Sequence, residues 1–203
     1  MNATQTRASN LPLYGLYGLL VVQLLVGYEW LVSGLTKIVR GGFPSGLAGE
    51  LREKSEGTVH WYKSFLDSVV IPNGSTFGYL IELGELLVGI GLILAAALWL
   101  FRWERLSPVG RSTVLLTTAI ASLGAVFMAV NFHLANGASH PWLIARDGFD
   151  EGIDLDSLLP AIQLVLAGVS LAAWRASRLG QARAAVRNAA QPKPPEKVVI
   201  GTP

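Results

Sequence analysis

Long apolar runs separated by polar joints set the pattern of this chain. Four of them, Leu11 to Val39, Phe77 to Phe101, Thr113 to Leu134 and Leu155 to Trp174, are long enough to cross about 30 Å of hydrocarbon at ~1.5 Å of rise per residue. They take up close to half of the chain and leave no room for a separate soluble domain. The pattern predicts an all-α, integral-membrane, four-helix antiparallel bundle over residues 1–174, followed by a basic tail over 175–203. Small residues four apart, at Gly91 and Ala95, at Ala121, Ala125 and Ala129, and at Gly168 and Ala172, predict that the helices approach closely as one bundle.

The first long connection, Arg40 to Thr76, exceeds a simple turn. Tyr62, Phe65, Leu66, Val69 and Val70 recur at helical spacing before Pro72 and Asn73, which are expected to stop the run. Short interfacial helices are expected here, with His60, Trp61 and Tyr62 at headgroup depth, serving as an anchor or as a lid over a pocket. The run from Arg175 to Arg187 is expected to continue the fourth helix into anionic headgroups, and Gln191 to Pro203 to be disordered.

Composition narrows the classes. With 51% apolar and 15% charged residues and a mean hydropathy of +0.45, the chain does not suit a cytosolic enzyme, a DNA-binding module or a secreted disulfide scaffold. The absence of cysteine removes disulfides, thiolate nucleophiles and iron–sulfur ligation, so redox chemistry would need a bound cofactor or a partner. The first run is too long for a signal peptide and is interrupted by Gln23, Glu29 and Lys37, which predicts a retained helix.

Charge placement is more telling than the net charge of +2, which does not call for a nucleic-acid partner. Putting the amino terminus, the Arg102–Ser112 joint and the tail on one side gathers ten of the sixteen basic residues there, which makes that side cytoplasmic and both termini with it. The opposite side receives Asp147, Asp150, Glu151, Asp154 and Asp156. The expected location is the cytoplasmic membrane, with the lipid bilayer as surroundings.

Ionisable residues within the runs are few, and such residues usually face a bundle interior. Glu29, Ser33 and Lys37 follow i, i+4, i+8, and Glu82 and Glu85 are three apart, so each set is expected to share a helix face. At ~1.5 Å per residue Glu29 and Glu85 lie roughly 6 Å outward of the midplane, Glu82 about 10 Å and Gln163 about 4 Å, with Asn131 and His133 near the outer end of the third run. All fall in the outer half although the helices alternate in direction, and Glu29 is expected near Glu85. Two readings stay open. The residues can be interhelical pins worth about 0.6 to 2 kcal/mol each, or they can line a polar cavity whose carboxylates exchange a proton near neutral pH. His60, His133 and His140 lack the spacing of a ligand set, so no metal is expected.

At these residues the chain resembles the DoxX/DoxD family of small four-helix membrane proteins. The resemblance rests on GYEWLVSGLTK (Gly27 to Lys37), GGFPSGLAGEL, HWYKSFLDSVVIPN and ELGELLVGIGLIL, and runs from about Leu16 to Leu134. DoxD is the membrane subunit of thiosulfate:quinone oxidoreductase, so the resemblance implies a membrane subunit of a quinone-linked oxidoreductase, with a second oxidoreductase subunit as partner and a small sulfur anion such as thiosulfate as electron donor at the outer face. By motif position Lys37 and Glu85 match the family's polar helix positions, and His133 and Asn136 lie at the comparable end of the third helix. In this reading Lys37, Glu82 and Glu85 carry the chemistry, and Glu29, Asn131, His133 and Gln163 surround the quinone. Glu29, Glu82 and Glu85 outnumber Lys37, so a thiosulfate dianion would be repelled unless those carboxylates were protonated or it stayed near Lys37, Arg40 and His133. Two other classes compete: a non-enzymatic scaffold that anchors a soluble redox or stress-response partner, and a proton-coupled carrier. Four helices without an inverted repeat or a broken-helix pair disfavour the carrier.

Overall fold

A computed structural model describes residues 3–137 and 155–189. All elements are helical, and no strand occurs among the described residues. The order is α1 (Ala3–Arg40), α2 (Phe43–Lys54), α3 (His60–Phe65), a wide π-type turn (Leu66–Val70), a tight 3-10 turn (Ile71–Asn73), α4 (Gly74–Arg102), a second 3-10 turn (Trp103–Arg105), α5 (Pro108–Ala135) and α6 (Leu155–Ala189). Each apolar run of the sequence falls in one of α1, α4, α5 and α6, and each of these helices is long and apolar enough to cross a membrane by length and composition. Leu25, Tyr28, Leu87, Leu94, Phe127 and Val165 stand exposed on them, as a lipid-facing surface requires. Arg175 to Arg187 continues α6. The acidic residues Asp147, Asp150, Glu151 and Asp154, His140, and the segment Gln191 to Pro203 lie outside the described residues.

Two apolar cores hold the elements together. Val26, Trp30, Val88, Leu92, Ala125, Ala129 and Leu166 join α1, α4, α5 and α6. Leu47, Leu51, Tyr62, Leu66, Val70 and Ile71 seat α2 and α3 beside the start of α4. Tyr62 is therefore inside the protein, whereas its neighbours His60 and Trp61 are exposed, so of the three rings Tyr62 lacks the exposure expected at an interface.

Pro72 does not end the run as expected. Its missing N–H removes one i to i−4 bond, yet the chain keeps helical dihedrals through Ile71 by widening first and tightening after, and it leaves the helical region only at Asn73, with φ −112° and ψ 28°, before α4 begins. The Ile71 N–H reaches back to the Leu66 carbonyl, and the Asn73 side chain donates to the Val69 carbonyl at 2.9 Å. The path from His60 to Arg102 is thereby nearly continuous.

Helix approach also differs from the small-residue pattern in part. Ala125 and Ala129 are buried and Gly91 faces Ala121, but Gly168 and Ala172 are exposed, and a Cβ on Gly168 would meet nothing within 4 Å. Backbone approaches closely between α1 and α4, as it does between α2 and α4 where Gly78 meets Pro44. A Cβ on Gly34 would stand 2.7 Å from the Leu86 nitrogen, and one on Gly89 would run into the Leu31 backbone nitrogen. Because backbone cannot yield as a side-chain tip can, Gly89→Val is expected to destabilise by about 3 kcal/mol or more. Unfolding midpoints in detergent check this; a midpoint equal to wild type would mean that α1 and α4 are not in contact there.

Candidate functional site

The close approach at Gly34 sets the geometry of the most buried ion pair. Ser33 and Lys37, one turn apart on α1, reach Glu85 on α4. Lys37 Nζ donates to Glu85 Oε2 at 2.6 Å, to Oε1 at 2.8 Å and to Ser33 Oγ at 2.8 Å, while Ser33 Oγ donates to Glu85 Oε2 at 3.1 Å. Glu85 is 1% exposed and Lys37 23%. The carboxylate is thus closed off behind the ammonium, which has one side free to meet something else. Low local polarity strengthens these charge-assisted bonds.

That free side forms part of a pocket of about 500 Å³ between α2, α3, α4 and α5. Lys37 Nζ lies 5.2 Å from the ring centre of Phe43, a cation–π distance. Leu47, Phe65, Leu66, Phe77, Ile81, Phe127 and Phe132 supply apolar wall. Tyr62 adds a polar handle: its hydroxyl donates to Asn131 Oδ1 at 3.0 Å and lies 3.2 Å from the Asn131 carbonyl, and Asn131 Nδ2 donates to the Phe127 carbonyl at 2.7 Å. On the rim Lys54 is paired with Glu50 at 2.7 Å, and that hydrogen bond, more than the bare charge, holds the Lys54 ammonium above its ordinary pKa. Apolar walls with a few convergent polar groups are the features of a site for a small organic ligand, and Lys37, Tyr62 and Asn131 are among the groups able to hold one.

The other residues singled out in the sequence are not all brought here. Glu82 is buried on α4 one turn from Glu85, but it is not in the pocket wall. Asn131 is in the wall and His133 is not; two residues turn a helix by about 200°, which carries His133 to the buried face shared with Ala125 and Ala129. Gln163 is 0% exposed in α6, and neither atom of its amide has a hydrogen-bond partner among the described residues. Glu29 is exposed, contrary to the expectation that it turns inward toward Glu85. The reason is angular: each i, i+4 step advances about 40°, so Glu29 and Lys37 stand about 80° apart, and only the later residues face α4.

Reasoning from sequence missed the contribution of Phe43 and Leu47 and put Tyr62 at headgroup depth, although Leu47 with Leu51 and Tyr62 with Leu66 and Val70 show the i, i+4 spacing of a buried face. It also missed a second cleft, of about 520 Å³, at the opposite end of the helices. Gln23 lies in it, donating to the Leu92 carbonyl at 2.9 Å and to Thr118 Oγ1 at 3.2 Å, which pins α1 to α4 and α5. Among the described residues no three His, Cys, Asp or Glu side chains are grouped so as to hold a metal ion. Compared with family models, with curated proteins and with solved structures, the chain has no match.

Proposed function

We propose that this chain is a multi-pass subunit of a quinone-linked oxidoreductase in the cytoplasmic membrane, with α1, α4, α5 and α6 crossing as an antiparallel bundle and α2 and α3 resting at the outer interface. The observation that carries the reading is the Lys37 ammonium, backed by the buried Glu85 carboxylate and opening into an apolar pocket of about 500 Å³. A quinone ring matches such walls, and its carbonyl oxygens would accept hydrogen bonds from Lys37 and from the Asn131 and Tyr62 pair after small side-chain rotations. When bound, it would accept two electrons and two protons. Lys37 is the group placed to donate a proton at the pocket wall, and Glu85, in contact with Lys37, is the group placed to hold or return one. The resemblance to the DoxX/DoxD proteins agrees with this and supplies the second subunit and the thiosulfate donor as part of the proposal. Both pocket lysines already have carboxylate partners, which favours a neutral quinone here over a sulfur dianion. Oxidation of the sulfur compound is therefore assigned to the partner subunit or to the outer surface.

Extraction of purified protein followed by absorption spectroscopy tests the reading: quinone should be present in wild type and fall to background in Ala135→Trp, which fills the pocket wall. No quinone in either protein would favour the scaffold. Orientation is tested by labelling single introduced cysteines, for which the background is zero. A probe at Trp61 should react from outside and one after Arg187 only from inside; external labelling of the tail would reverse the topology.

A further inference from the structure

Glu29 is the one acidic side chain near the middle of a candidate span that the fold does not shelter. Its span, Gly15–Arg40, is centred within two residues of it, and the residue is exposed beside Tyr28, Leu25 and Val32, which are exposed as well. Among the described residues Glu29 has no hydrogen bond or ion pair, whereas Lys37, eight residues on, is paired with Glu85 and bonded to Ser33. A Glu side chain cannot reach water from the centre of a helix that crosses hydrocarbon, and ionisable groups at that depth face protein or another charge.

We infer that the face of α1 bearing Leu25, Tyr28, Glu29 and Val32 docks a transmembrane helix of another protein that carries a lysine or arginine at mid-membrane depth. Charge complementarity selects this occupant over a second copy of the chain. Within the four apolar runs, Leu11 to Val39, Phe77 to Phe101, Thr113 to Leu134 and Leu155 to Trp174, the chain offers only one Lys or Arg, Lys37, and that ammonium is already held by Glu85. A parallel pair of copies joined through α1 would bring Glu29 toward Glu29 and supply no cation. Tyr28 offers the incoming helix an aromatic surface for a long cationic side chain, and the aliphatic neighbours allow close contact along the seam. The inference is independent of the quinone reading, because Glu29 is not among the residues of the pocket wall.

The test uses the full chain in neutral phosphatidylcholine vesicles, donor-labelled on the tail, with acceptor-labelled synthetic polyleucine helices. One peptide carries a central lysine, one a lysine near its end and one none. Energy transfer should report roughly five- to tenfold tighter association for the central-lysine peptide, and Glu29→Leu should reduce it to the level of the plain peptide. Because Glu29 is exposed, the variant should keep its helix content and melting behaviour, so loss of binding cannot be ascribed to unfolding. Equal association of all three peptides would overturn the proposal, as would a lysine preference that survives Glu29→Leu. Self-association of the chain that is abolished by Glu29→Leu would also overturn it, since the occupant would then be a second copy.

Discussion

Lys37→Met is expected to destabilise the protein by about 3 kcal/mol, near the lower end of what breaking a buried pair costs, because Glu85 would be left as an uncompensated charge at 1% exposure. The pocket beside Lys37 gives water some access to the vacated position, which keeps the cost from the upper end of that range. Removing the charge from both partners should behave differently. In Lys37→Met/Glu85→Leu no charge remains to be sheltered, the methionine retains the contact with Phe43, and stability should return to within about 1 kcal/mol of wild type. Reversible unfolding in mixed micelles measures both variants and the coupling between them. If the single variant were as stable as the double, the pair would not be buried together as described.

This pair also shows what the sequence could tell. The four candidate spans were legible because each is a long apolar run. That the pocket end of the helices holds Lys37, Glu85 and Asn131 was legible from depth, which needs only counting along each helix. Which face each residue occupies was not. The i, i+4, i+8 series suggested that Glu29, Ser33 and Lys37 point together, but the 40° drift at each step separates its ends, and tertiary contact decides which end faces inward. Contact on α1 is centred on Gly34, where only a hydrogen side chain allows α4 so near, and a glycine has no hydropathy signal to reveal that role. His133 and Asn131 were grouped by depth for the same reason and belong to different faces. The covering of the pocket by α2 and α3 depends on Pro72 lying within a helical path. The sequence rule that proline ends a helix conceals this, because the compensating wide turn at Leu66–Val70 leaves no mark in composition.

The largest functional effect is expected from Glu85→Gln. The amide keeps the shape of the carboxylate and can still accept the bond from Lys37, but it cannot take up or release a proton at neutral pH. If Lys37 delivers a proton to the quinone and Glu85, after taking up a proton from water, passes it to Lys37, turnover should fall about 100-fold, the lower bound for loss of a general acid–base step. Because Glu85 is not in the pocket wall, the loss should appear in kcat with little change in KM, the signature of an interaction used in the reaction rather than in binding. Lys37 is partly exposed and keeps Ser33 and Phe43, so the variant should fold. Glu82→Gln is the matched control. It lies one turn away on the same helix, buried but without the contact to Lys37, and should alter turnover only a few-fold, since burial alone gives it no route to the pocket. Quinone-dependent turnover of reconstituted protein with its electron-donating partner checks the order. Equal, small effects in both variants would reduce the Lys37–Glu85 pair to a pin between α1 and α4, and the chain to a membrane scaffold. A large rise in KM for Glu85→Gln alone would instead put its side chain in direct contact with the quinone, which the closed arrangement behind Lys37 does not allow.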